Sequence, residues 1–165
     1  MKKLLIWALF CFCASLAPAN AQIVALGASN VAGKGVDSSE AYPAQLERLL
    51  AARGYHVHVA NAGVSGDTNE GMLARLDSSV PDGTKVVVPD VSGGAFNARR
   101  KTGGNQIEAL RTIESRLRAR HIKIVSESAK RLVKNYAQSD GVHLTAEGHA
   151  QLAARLLPSV IRALH

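Results

Sequence analysis

The sequence predicts an α/β fold built on a short parallel sheet of about four strands. Three observations carry that expectation. Apolar or β-rich runs at residues 23–26, 55–60, 85–88 and 122–125 alternate with segments of helical periodicity. The connections between them are short, and three of them are rich in glycine. No repeat, linker or low-complexity stretch breaks the alternation. Strands that alternate with helices through short loops pair in parallel and cross over right-handedly.

The first run, Ile23 to Leu26, is closed by Gly27 and reads as a buried strand feeding a sharp turn. Ser29 and Asn30 stand in that turn, with Gly33 and Gly35 just beyond. A serine there offers its hydroxyl at the carboxyl edge of the sheet, where open α/β folds place their ligands. It could equally do no more than cap the next helix. Residues 40–53 carry Ala41, Leu46, Leu49 and Leu50 at helical spacing; Pro43 stands early, where a helix tolerates it, and Gly54 ends the segment.

Residues 55–60 alternate and are rich in β-formers, which predicts the second strand. His56 and His58 share one face of it, with no third metal ligand nearby in sequence, so two exposed strand histidines are expected. A loop is expected from Asn61 to Thr68, with Asp67 or Thr68 capping a helix that carries Met72, Leu73 and Leu76. Gly66 stands out in this loop, because a glycine lets backbone approach a ligand and aim an N–H at it. An ordinary turn also uses such a glycine.

The third strand, residues 85–88, should end or bulge at Pro89, since a central strand cannot spare an N–H. A loop with Gly93, Gly94 and Asn97 follows, then an amphipathic helix over 106–120 and a strand over 122–125. A short helix over 129–136 leads to Asp140, Gly141, Val142 and His143. Thr145, with Glu147 nearby, opens a last helix that runs to about Leu164.

The first 21 residues read as a secretory signal peptide rather than as part of the fold. Lys2 and Lys3 precede an apolar run from Leu4 to Ala17, and Ala19-Asn20-Ala21 supplies the small residues of a cleavage site before Gln22. The run is short for a membrane span. Both cysteines, Cys11 and Cys13, lie within it, so residues 22–165 are expected as one cysteine-free domain, exported to the periplasm or medium. Cleavage would lower the formal charge from +7 to +5. A basic surface suits anionic partners, but Arg111, Arg116, Arg118 and Arg120 stand along a helix with almost no aromatics between them. That is a solvated face rather than a base-stacking platform, and no nucleic-acid partner is expected.

Three glycine-bearing loops after successive strands open on one sheet edge and carry Ser29, Gly66 and Asn97. Asp140 and His143, three apart, can project from one turn back to that edge. The carboxylate would fix the imidazole tautomer, and the other ring nitrogen would take the serine proton. The N–H groups of Ser29 and Gly66 and the Asn97 amide would surround the oxyanion of a tetrahedral intermediate.

These residues resemble the SGNH hydrolase superfamily, often called GDSL esterases and lipases. Gly27-Ala28-Ser29-Asn30 is similar to the family's first block, with Ala28 where its name-giving Asp stands. Asn61 to Thr68 is similar to the second block in its thioesterase and lysophospholipase form, and Asp140 to Leu144 to the last. The resemblance covers the whole of residues 22–165. It implies a three-layer flavodoxin-like sandwich and hydrolysis of small-molecule esters or thioesters, anionic or membrane-derived ones among them, with no metal or other cofactor. Ser29 would be the nucleophile, His143 the base and Asp140 its orienter.

The third block departs from the family's Gly-x-Asn-Asp. Gly93-Gly94 is followed by Ala95-Phe96, and Asn97 by Ala98. Asn105 in Gly103-Gly104-Asn105 competes for the oxyanion role, but it lies farther from the strand and suits a helix cap better. Only a short helix separates the fourth strand from Asp140, which leaves no sequence for a fifth, so a shallow open cleft is expected. Arg99, Arg100 and Lys101 beside the third loop suit either an anionic headgroup or plain solvent.

Rival readings fail on spacing or lack support. A phosphate loop wants four residues between its glycines, where Gly27 and Gly33 have five between them, and Gly35 stands where Ser or Thr should follow Lys34. The dinucleotide fingerprint meets Ser38 at its third glycine. For a metal hydrolase, only His143 and His149 sit near carboxylates, Asp140 and Glu147, and His149 is expected on a helix surface. A catalytically weak relative that binds envelope glycans or acyl groups is the alternative that the altered third block supports.

Overall fold

A computed structural model describes residues 22–90, 94, 97, 105–127 and 129–165. The proposed leader, residues 1–21, and the Arg99-Arg100-Lys101 cluster lie outside the described residues. Four parallel strands form the sheet: β1 (Ile23–Gly27), β2 (Val59–Gly63), β3 (Val86–Pro89) and β4 (Lys123–Ile124), in the order β2-β1-β3-β4. The helices are α1 (Ser29–Ala32), α2 (Tyr42–Ala51), α3 (Asn69–Ala74), α4 (Leu76–Ser79), α5 (Gln106–Ala119), α6 (Lys130–Tyr136) and α7 (Ala146–Leu164).

Both faces of β1 are covered, which is why it reads as an unbroken apolar run rather than an alternating one. Ile23 and Ala25 pack into one core with Leu46 and Leu50 of α2, Leu132 of α6 and Leu152, Leu156 and Val160 of α7. Val24 and Leu26 face the other way, against Met72 of α3, Leu76 of α4 and Ile113 and Leu117 of α5. The result is a helix–sheet–helix sandwich of three layers, as expected. Among the described residues no helix is long and apolar enough to cross a membrane.

The second strand lies later in the chain than its sequence pattern suggests. Residues 55–58 lie outside the strand, although the His58 carbonyl accepts the Ile23 N–H at 3.2 Å, and β2 takes in Asn61, Ala62 and Gly63, where the sequence predicts a loop. The register explains the shift. Ile23 stands opposite Val59 and Gly27 opposite Gly63, so β2 extends only where β1 offers a partner. Strand formation follows pairing more than propensity. His56 and His58 are exposed as expected, though outside the strand, and the His58 ring lies 2.8 Å from Glu47, which also accepts the Val59 N–H at 2.7 Å.

Pro89 ends β3, as its missing N–H requires. It stands opposite Leu26, and the next N–H, of Asp90, donates to the Leu26 carbonyl at 2.8 Å. The order β2-β1-β3 makes the chain leave β1 to one side and return on the other. The carboxyl ends of β1 and β3 therefore flank a topological switch point, where folds of this kind hold ligands.

Candidate active site

Ser29 begins α1, a single turn directly after β1. Gly27 lets that turn fold back, since a Cβ there would run into the Val31 and Asp90 side chains. Gly33, in a left-handed conformation at φ 78°, ends the turn with its N–H on the Ser29 carbonyl. The serine is thereby fixed on a tight strand-to-helix corner with its hydroxyl facing the loop before α7.

That loop brings His143 to the serine. His143 Nε2 lies 3.0 Å from Ser29 Oγ, and His143 Nδ1 lies 2.5 Å from Asp140 Oδ2. Asp140 Oδ1 also accepts the backbone N–H groups of Val142 at 2.9 Å and His143 at 3.0 Å. The Asp140 carboxyl is held well below the usual carboxylate range, first by the His143 backbone N–H, then by the His143 ring and the Val142 N–H. A carboxylate in this position keeps the proton on Nδ1 and leaves Nε2 able to accept one from the serine. His143 is largely buried while Asp140 is exposed. The three residues singled out from the sequence are thus brought together.

Gly66 lies in the turn after β2 at φ 80°, where the Asp67 N–H closes onto the Val64 carbonyl at 3.0 Å. Asn97 reaches this same loop: its side-chain amide donates to the Asp67 carbonyl at 2.8 Å. Asn105 instead caps α5, accepting the Glu108 N–H at 3.1 Å, as its position in the sequence suggests. Gly94 packs against Asn69, whose N–H and side-chain amide bond to Gln106 at 2.9 and 3.2 Å, so the third loop leaves no room for a side chain at that point.

His149 corrects the sequence reading. It is fully buried rather than on the surface of α7, where its ring stacks near Tyr42 and Nδ1 accepts the Tyr42 N–H at 3.3 Å. The reason is helical phase: His149 shares the inward stripe of α7 with Leu152, Ala153, Leu156 and Val160. Burial pushes its pKa down to about 4.

Sequence reasoning also missed Arg75. Its guanidinium holds Asp67 Oδ2 at 2.8 Å and the Gly27 carbonyl at 3.1 Å, linking the second loop to the end of β1. Its only sequence signal is a cation in the same helical segment as Met72 and Leu76.

The sequence model of the GDSL-like lipase/acylhydrolase family matches residues 25–135. The chain belongs to that family. Over 103 residues it is 31% identical to esterase TesA of Pseudomonas aeruginosa, a match that covers 62% of this chain and 51% of that one. The chain thus spans about half the length of the curated relative it matches. Two solved structures share its fold. A crystal structure of TesA gives a TM-score of 0.69 at 23% identity, covering 86% of this chain and 97% of that one. The psychrotrophic esterase EstA from Pseudoalteromonas sp. gives 0.73 at 16% identity, covering 87% and 98%. At these identities the likeness is one of fold.

Proposed function

We propose that this chain is a serine hydrolase that cleaves carboxylic esters or thioesters of small molecules. The observation that carries the reading is the line Ser29 Oγ, His143 Nε2, His143 Nδ1, Asp140 Oδ2, with spacings of 3.0 Å and 2.5 Å at its two hydrogen bonds. A serine hydroxyl is a weak nucleophile until a base removes its proton, and an imidazole anchored by a carboxylate does so at neutral pH. Ser29 Oγ attacks the acyl carbon as its proton passes to His143 Nε2. The C–O or C–S bond then breaks, and the leaving alkoxide or thiolate takes that proton. Water, activated by the same ring, attacks the acyl-serine, releases the acid and restores Ser29.

The oxyanion would be met by the N–H groups of Ser29 and Gly66 and by the Asn97 amide. An amide nitrogen has two N–H groups, and one of those on Asn97 is engaged by the Asp67 carbonyl. Loss of one oxyanion donor typically costs about 3–4 kcal/mol in the barrier. Export of this enzyme is part of the proposal, supported by Lys2, Lys3, the apolar run after them and Ala19-Asn20-Ala21. Intact mass of protein recovered from the periplasm or medium should show a chain beginning at Gln22.

A second reading is favoured by the engagement of Asn97 with Asp67: a weak or inactive relative that binds acyl groups or envelope glycans. One assay separates the two. Release of p-nitrophenol from acetate, butyrate and octanoate esters should be measurable with the chain from Gln22 and absent in Ser29→Ala. A phosphonate ester should label Ser29; EstA, whose fold this chain shares, was crystallised inhibited by monoethylphosphonate. An unreactive serine with no turnover on any ester would leave the binding reading.

A further inference from the structure

We infer that Asn30, the residue after the serine, is a positioning residue that sets the register between Ser29 and His143. The inference deepens the hydrolase reading and rests on it. Its side-chain amide brackets His143. Nδ2 donates to the Val142 carbonyl at 3.3 Å, and Oδ1 accepts the Leu144 N–H at 2.9 Å. One planar amide on α1 thus grips the peptide groups on both sides of the imidazole, across more than a hundred residues of sequence.

The surrounding hydrogen bonds show how completely this short segment is held. From the Val142 N–H to the Leu144 carbonyl there are six backbone polar groups, and each has a partner. Asp140 Oδ1 takes the two N–H groups of Val142 and His143. The Gln138 backbone N–H donates to the His143 carbonyl at 2.7 Å, and its side-chain amide donates to the Leu144 carbonyl at 2.7 Å and the Lys34 carbonyl at 2.9 Å. The remaining two groups, the Val142 carbonyl and Leu144 N–H, are those that Asn30 takes. Asp140 lies on the same stretch of chain as His143, so its bonds shape the loop internally, and Gln138 does the same apart from its bond to Lys34, just past the end of α1. Asn30 is different, because it stands next to Ser29 and bonds the two peptide groups that flank His143 directly to the serine's own turn.

The consequence is geometric. The 3.0 Å approach of His143 Nε2 to Ser29 Oγ depends on two segments from opposite ends of the chain. A misplacement of about 1 Å between reacting groups can cost roughly a hundredfold in rate. An amide suits the task because it carries a donor and an acceptor in one plane, matching a carbonyl and an N–H in adjacent peptide groups. Leucine at this position would fill similar volume and make neither bond. Aspartate would keep the acceptor for the Leu144 N–H but set a negative oxygen against the Val142 carbonyl.

The test compares the native protein with Asn30→Ala and Asn30→Asp, using p-nitrophenyl butyrate, phosphonate labelling of Ser29, thermal unfolding and proton NMR. In both variants kcat and the labelling rate should fall by about ten- to a hundredfold, with KM changed less than about threefold. The far-downfield proton of the His143–Asp140 hydrogen bond should shift or broaden, because the ring is no longer held in place. A purely structural role would lower the unfolding temperature yet leave kcat and that resonance unchanged well below it. Two variants that match the native kcat, labelling rate and resonance overturn the inference. If the native protein neither turns over esters nor labels at Ser29, the hydrolase reading fails; the resonance then decides alone whether Asn30 places the ring, and an unchanged signal in Asn30→Ala overturns it.

Discussion

Arg75 binds Asp67 and the Gly27 carbonyl with one guanidinium, at 2.8 and 3.1 Å. Gly27 is the last residue of β1, two before Ser29, and Asp67 follows Gly66. The pair therefore joins the two loops that would supply the nucleophile and an oxyanion donor. A third guanidinium nitrogen donates to Ser79 Oγ at 2.9 Å, so the side chain is fixed from three sides. Both partners are mostly shielded from solvent, with side chains 22% and 10% exposed, and a charge left behind there would lack a counterion. Arg75→Met should lower stability by about 2 kcal/mol, a value below that of fully buried pairs because some solvent reaches the arginine. Urea unfolding followed by circular dichroism checks this, and a midpoint equal to the native one would show that the brace is unnecessary. Arg75→Lys should recover only part of the loss, since an ammonium cannot serve three acceptors in one plane.

Asp140→Asn should separate orientation from fold. The asparagine oxygen can still accept the Val142 and His143 N–H groups, so the loop keeps its shape. Its NH2 would then face His143 Nδ1, which must become an acceptor and leave the proton on Nε2. A ring in that tautomer cannot take a proton from Ser29. By analogy with other triads kcat should drop on the order of 10³–10⁴-fold, with little change in unfolding temperature. A loss smaller than about tenfold would remove Asp140 from the proposed triad. The same contacts keep the native carboxyl ionised well below its ordinary range, so an acid limb seen in kcat/KM above pH 4 should belong to another group.

The layered fold and the residues at its edge were legible because each depends on local signals. A glycine-closed apolar run predicts β1, and the spacing of Asp140 and His143 lets one turn present both. The start of β2 was not legible, because it is set by the length of β1 rather than by residues 55–58. His149 departs from its sequence reading for a related reason. Polarity suggests surface, but its helical phase places it on the buried stripe of α7. Asn30, Arg75 and Gln138 act through partners distant in sequence, and a single chain read in order has no signal for such pairing. Asn105, by contrast, caps the helix it directly precedes, and that was readable.

His149 should make stability fall in mild acid. Its pKa in the fold is about 4, below the ordinary value of about 6.5, because burial disfavours the cation; Glu40 opposes this weakly. Between those two values the unfolded chain binds a proton that the folded chain does not, so stability rises with pH across this window and falls as the solution is acidified. The full difference corresponds to roughly 3 kcal/mol. His149→Asn retains an acceptor for the Tyr42 N–H but cannot titrate. It should start less stable at pH 7, yet show a flatter stability profile between pH 6.5 and 4. Parallel profiles for the two proteins would mean that other groups set the acid response.

Gly63 and Gly54 should answer the same substitution differently. Gly54 sits after α2 at φ 83° with nothing near its missing side chain, so Gly54→Ala adds only the strain of a left-handed residue, about 1 kcal/mol. Gly63 has no such φ, and its difficulty is space. A Cβ there would overlap the backbone of Val31 and Ala32 in α1, atoms that cannot rotate out of the way. Since Gly63 stands opposite Gly27 and the next N–H, of Val64, donates to the Gly27 carbonyl, the strand cannot retreat without losing its register, and α1 has to move instead. Gly63→Ala should therefore lower stability by about 2–3 kcal/mol and also cut kcat, because the helix displaced is the one that begins at Ser29. Gly54→Ala should leave kcat unchanged. Measuring unfolding and p-nitrophenyl butyrate turnover for both variants tests this. Equal kcat in the two would mean that α1 absorbs the extra methyl group without moving the serine.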